Sequence, residues 1–164
     1  MSVTSRRPKA PSTPEAAAGR GHARILLASE GRGFSDAAIA RVIELAAPGA
    51  HVHVFSIARI HGTAFGMPTP GLLPTKAEWA EQRELVDHAI KRLKRRRLTA
   101  DGHVLGTRNA AKKIVQEAAA HDCEVIVMAA DPDRNRIVST AMWSQEPQRV
   151  SRRAKLPVYL VTES

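Results

Sequence analysis

Four groups of residues have types and spacings suited to chemistry. Directly after the apolar run Val125–Ala129 stands a polar stretch in which Asp131 and Asp133 alternate with Pro132, Arg134, Asn135 and Arg136. Carboxylates and guanidiniums packed this closely can orient an anion, or can simply solvate a connection. A second group, Ser29-Glu30-Gly31-Arg32-Gly33, has two glycines that can take positive φ or let a ligand approach the backbone. It is neither GxGxxG nor a Walker A loop, so a plain tight turn explains it equally well. The third is His51 and His53, spaced i, i+2, which can share a metal ion. No third ligand is evident beside them, and His61 and His103 are the only loose candidates, so no metal site is expected. The fourth is the run Lys91–Arg97, basic at six of its seven positions.

Elements that would position these groups alternate along the chain. Val125–Ala129 is short, uninterrupted and rich in β-branched residues, as expected of a central strand buried on both faces. Ala23–Ala28 has the same character and leads into the Ser29–Gly33 turn. Ser35 is then a good cap for a helix reaching about Ala47, stopped by Pro48 and Gly49. His51–Ala58 is a strand with Val52 and Val54 on one face and His51, His53 and Phe55 on the other. Arg59–Thr75, with three glycines and three prolines, reads as a long loop of the kind often used as a lid or binding loop. Lys76–Leu98 is a long amphipathic helix, His103–Leu105 a short strand, and Asn109 the cap of a helix from Ala110 to about His121. A helix around Gln145–Arg153 and an edge strand Val158–Val161 complete the order. Five strands alternating with helices, joined by right-handed crossovers, predict a three-layer α/β/α sandwich on a parallel five-stranded sheet.

Composition narrows the function classes. The chain has 164 residues, of which 43 % are hydrophobic, enough for one globular domain. Residues 1–21 differ, being proline-rich and basic without an apolar signal core, and read as a disordered tail; residues 22–164 read as the folded domain, in a cytoplasmic protein. No stretch approaches the length of a membrane span. The single cysteine, Cys123, excludes an internal disulfide and reads as a buried small hydrophobe rather than a nucleophile. A net charge of +9 favours acidic partners. Part of the Lys91–Arg97 run suits a helix C-terminus, but its density also allows Arg95, Arg96 and Arg97 to contact the phosphates of a nucleic acid. No aromatic residue is interleaved with the basic runs as a base-stacking platform would require. No nucleophile elbow or other catalytic constellation stands out, so catalytic residues are expected to be absent.

The chain resembles the universal stress protein family over roughly residues 21–162. The resemblance rests on Ile25–Gly31 with the Ser35-capped helix, similar to the family's first strand ending in Asp-Gly-Ser. It rests also on GTRNAAKKIVQEAAAHDCEVIVMAA, beginning at Gly106, and on QRVSRRAKLPVYLV, Gln148–Val161. What the resemblance implies is a small cytoplasmic protein with sheet order 3-2-1-4-5, a homodimer through its last strand, and a stress-response or regulatory role. It further implies a cleft for ATP across the ends of strands one and four. By the same resemblance, Glu30, Gly31, Gly106, Asp131, Arg134 and Ser144 would border that nucleotide.

The departure from the family pattern lies in the phosphate loop. Nucleotide-binding members carry two glycines separated by two residues, then nine residues, then Gly-Ser or Gly-Thr. Ala130–Gln145 contains no glycine. Glycine lets backbone N–H groups approach a phosphate closely, whereas Pro132 has no N–H and Asp131 and Asp133 bring negative charge. Arg134 and Arg136 offer partial compensation. The expectation is therefore a non-enzymatic regulatory module with weak or absent ATP binding and no resident cofactor. The alternatives are a rearranged pocket for ATP or AMP and a nucleic-acid-binding protein using the tail and the basic run.

Overall fold

A computed structural model describes residues 21–59, 73–131 and 145–162. Two of the expectations, the lid over most of Arg59–Thr75 and the loop from Pro132 to Ser144, fall outside these residues, as does the tail. Within them the elements run β1 (His22–Ser29), α1 (Asp36–Leu45), β2 (Ala46–Arg59), α2 (Lys76–Arg95), β3 (Thr99–Thr107), α3 (Ala110–Ala120), β4 (Val125–Ala130), α4 (Glu146–Arg153) and β5 (Val158–Thr162). The strands form one parallel sheet in the order β3-β2-β1-β4-β5.

The alternation of side chains in β1 and β4 explains their uninterrupted apolar sequences. Ile25, Leu27, Val125 and Val127 point to one face and pack with α1 and α2. Leu26, Ala28, Ile126 and Met128 point to the other and pack with α3 and α4. A strand covered on both faces has no solvent side on which a polar residue would be favourable. Val52 and Val54 of β2 join the first core and Phe55 the second, as their alternation predicts.

Two boundaries differ from the sequence expectation for identifiable reasons. Helix α1 ends at Leu45, and the Pro48-Gly49 pair lies within β2. There the β1–β2 register jumps from His22↔Ala46 to Arg24↔His51, an irregularity that absorbs the extra residues, with Gly49 at φ 73°. Strand β3 spans Thr99–Thr107 rather than three residues. Asp101 and Gly102 are poor strand formers in isolation, but continuous pairing with β2 overrides that preference. The caps expected at Ser35 and Asn109 are formed, accepting from the N–H groups of Ala38 and Lys112 at 3.1 and 3.3 Å. Among the described residues no helix is long and apolar enough to cross a membrane.

Candidate functional site

The strand order reverses between β1 and β4, since the chain runs outward from β1 to β3 and then returns to β4. In an open α/β sheet the crevice at the carboxyl ends of such strands is the usual ligand site. Here it is bordered by the turn after Ser29 and by Ala130 and Asp131.

The turn is held by its own polar groups. Ser29 Oγ donates to the Arg32 carbonyl and accepts from Gly31 N–H at 3.2 Å. Gly31 sits at φ 121°, a conformation costly for any residue with a side chain, and a Cβ there would lie 3.1 Å from the Ile57 carbonyl oxygen. From the neighbouring elements, Gln82 of α2 donates from Nε2 to the Gly31 carbonyl at 2.9 Å and accepts from Ser56 Oγ at 2.6 Å. Arg59 Nε donates to the Glu30 carbonyl at 2.8 Å. Gly33, the other glycine of the turn, is not at positive φ, and a Cβ there would make only an ordinary contact with Leu85.

Across the crevice lies Arg32. Its Nε donates to Glu30 Oε1 at 2.6 Å, and its two terminal nitrogens donate to the two oxygens of Asp131 at 2.9 and 3.0 Å. This is a bidentate fork on one carboxylate and a third bond to another, the strongest arrangement open to a guanidinium. Burial opposes the charge of Arg32 most, yet the bonds and attraction of Asp131 and Glu30 outweigh it and hold its pKa above the ordinary value. Glu30 is only 2 % exposed, and its second oxygen, Oε2, is buried without a hydrogen-bond partner among the described residues. Beside the bridge, Arg32–Ser35, Ala129–Asp131 and Val161 line an open hollow of about 400 Å³.

Of the residues expected to border a nucleotide, the structure brings Glu30, Gly31 and Asp131 together. Gly106 lies on β3, two strands from β1, where the Trp79 ring would meet any Cβ at 3.0 Å. Arg134 and Ser144 lie outside the described residues. Arg32 was not singled out by sequence; its position two residues after Glu30 was the available signal, but nothing in the chain order links it to Asp131. Arg95, Arg96 and Arg97 are exposed at the opposite, amino-terminal end of the sheet, where α2 runs into β3. Arg97 leaves the helix at φ 61°, and the neighbouring Arg92 pairs with Asp36 at 2.5 Å.

Among the described residues at the crevice, the Arg32 guanidinium is shared by two carboxylates and Arg59 donates to the Glu30 carbonyl. The buried Glu30 Oε2 can accept from a hydroxyl or amino donor.

Sequence and fold comparisons agree on what kind of protein this is. The model of the universal stress protein family matches residues 22–162. The chain belongs to the universal stress protein family. No curated protein matches it in sequence. Among solved structures it is similar to a universal stress protein from Burkholderia pseudomallei, at 22 % identity and a TM-score of 0.61, covering 85 % of this chain and 95 % of that one. It is similar also to a universal stress protein from Archaeoglobus fulgidus, at 17 % identity and a TM-score of 0.61, covering 85 % and 93 %. A structure of the universal stress protein from Archaeoglobus fulgidus in complex with dAMP matches at 18 % identity and a TM-score of 0.57, covering 84 % and 95 %. At these identities the likeness establishes the fold: a five-stranded parallel sheet of order 3-2-1-4-5 flanked by helices.

Proposed function

We propose that this protein is a non-enzymatic stress-response or regulatory module whose nucleotide crevice is closed by its own Arg32. One observation carries the reading: the Arg32 guanidinium spans the ends of β1 and β4 and occupies both Glu30 and Asp131. A solved relative is in complex with dAMP, and in an open α/β sheet the crevice between β1 and β4 is where such a ligand would compete. Here a phosphate would have to displace Asp131 from Arg32 or lie beside it unpaired. Losing a bidentate charged contact and gaining like-charge repulsion both weaken binding. The glycine-free sequence Ala130–Gln145 acts in the same direction. ATP and AMP therefore bind weakly or not at all. Isothermal titration of the purified chain with each nucleotide tests this; saturable binding in the low-micromolar range contradicts it.

The module acts in the cytoplasm as a homodimer. Strand β5 is an edge of the sheet, and Val158, Tyr159, Leu160 and Val161 along it are all half-exposed. An edge of apolar side chains and unpaired backbone groups is stabilised by pairing with a second copy. Light scattering at tens of micromolar should give twice the chain mass, and a strict monomer removes the dimer from the account.

A further inference from the structure

A second cluster of ionisable side chains lies away from the crevice, between α3 and the outer strands β2 and β3. Glu117 of α3 is at its centre. One of its oxygens, Oε1, lies 2.9 Å from His53 Nε2, 3.3 Å from His103 Nε2 and 3.1 Å from His121 Nε2. These three nitrogens reach one atom from three elements: β2, β3 and the C-terminal cap of α3. The donor atoms of His53, His103 and Glu117 all lie within 4.8 Å of one another. The His121 ring stacks on His53 with centroids 3.7 Å apart.

Hydrogen bonding leaves part of this convergence unexplained. His53 and His121 hydrogen-bond to Oε1 and fill its two lone pairs, whereas His103 Nε2 approaches it at 3.3 Å without a hydrogen bond. His53, whose side chain is 4 % exposed, also places Nδ1 2.6 Å from Asp101 Oδ1. A neutral imidazole has one N–H, so bonding to carboxylates on both sides takes either the imidazolium or a cation on one side. A metal cation on the Nε2 side also draws in His103. It takes the lone pairs of the imidazoles and of Glu117, and leaves the His53 Nδ1–H to donate to Asp101. A carboxylate behind a ligating histidine is the usual support for such a ring.

We propose that His53, His103 and Glu117 form a binding site for a divalent transition-metal ion, with zinc as the fitting ion, water in the fourth position, Asp101 as the group orienting His53, and His121 a stacked neighbour rather than a ligand. Imidazole and carboxylate are ligands zinc takes in tetrahedral sites. Bonds of about 2.0 Å to a tetrahedral ion put neighbouring donor atoms about 3.3 Å apart. The separations of His53 and His103 Nε2 from Glu117 Oε1, 2.9 and 3.3 Å, come close to that spacing. His103 is 46 % exposed, so an ion can enter from solvent and that ring has room to adjust. His51 is not part of the set, since its Nε2 faces Asp101 at 3.2 Å. The i, i+2 histidine pair thus splits, with His53 a ligand and His51 a neighbour of its support.

The test uses the full chain, stripped with a chelator and titrated with Zn²⁺ against a chromophoric competitor, with Co²⁺ as a spectroscopic substitute. One zinc per chain is expected, with intense tetrahedral bands for cobalt and a zinc-dependent rise in Tm. Asp101→Asn should weaken zinc by about 10- to 100-fold through the His53 ring. The variant His103→Gln changes a partly exposed ring, and should weaken zinc by more than about 100-fold, beyond a supporting-residue effect. A wild-type chain that takes up no zinc at one equivalent, as a purely hydrogen-bonded histidine–carboxylate network would, overturns the site. So does binding that His103→Gln leaves unchanged.

Discussion

The crevice and the histidine cluster are built from similar materials and do opposite things. Each gathers charged side chains from distant parts of the chain around one central group. At the crevice the centre is a cation, Arg32, whose nitrogens are bonded to two carboxylates, with Glu30 Oε2 left unpartnered among the described residues. At the cluster the centre is an acceptor, Glu117, with two histidines bonded to it and a third close by. A cation already shared by two carboxylates has little to offer a phosphate, whereas imidazoles gathered around one carboxylate favour an added cation.

Breaking the cluster at its most buried member should have the largest effect. His53→Ala leaves Glu117 and Asp101 facing each other without the ring between them, and should cost about 3 kcal/mol in urea denaturation. It should not alter the response to ATP. Arg32→Ala should cost somewhat less, about 2 kcal/mol, because the guanidinium is part-exposed while the Glu30 it leaves behind is buried. That variant should leave zinc uptake unchanged, so an effect on both sites would join what the account separates. Gly31→Ala should cost about 1 kcal/mol or slightly more, from positive φ and the close Ile57 carbonyl. A neutral result there would show that the turn relaxes and that Arg32 is less firmly held than its bonds indicate.

The smallest expected effect concerns Cys123. Burial is the main cause lifting its thiol to about 11, so little thiolate exists at pH 8. Alkylation in the native state should be slow compared with a free thiol and should accelerate on unfolding. Fast native labelling would contradict the reading of Cys123 as a packing residue.

Much of the fold was legible in the sequence because it depends on local patterns. The runs Ile25–Ala28 and Val125–Met128, the cap residues Ser35 and Asn109, and the alternation in His51–Ala58 each specify an element without help from elsewhere. Strand β3 was underestimated because Asp101 and Gly102 gain strand conformation only from pairing with β2. The crevice was half legible. Glu30, Gly31 and Asp131 followed from their places at strand ends, but the decisive Arg32–Asp131 contact spans 99 positions and has no local signature. The cluster was least legible of all. His51 and His53 stand out as a pair, whereas nothing local in the sequence marks Glu117 or His121. Only the crossover that lays α3 over β2 and β3 brings them to His53 and His103.

The central claim is that Asp131 holds Arg32 away from any phosphate. Its most direct test is a parallel titration of ATP into the native chain and into Asp131→Asn. The substitution removes the opposing charge while leaving the guanidinium in place, and one charged contact transferred to phosphate corresponds to about a tenfold gain in affinity. The account predicts weak or absent binding by the native chain and at least that gain in the variant. Low-micromolar binding by the native chain, unchanged by the substitution, would contradict it.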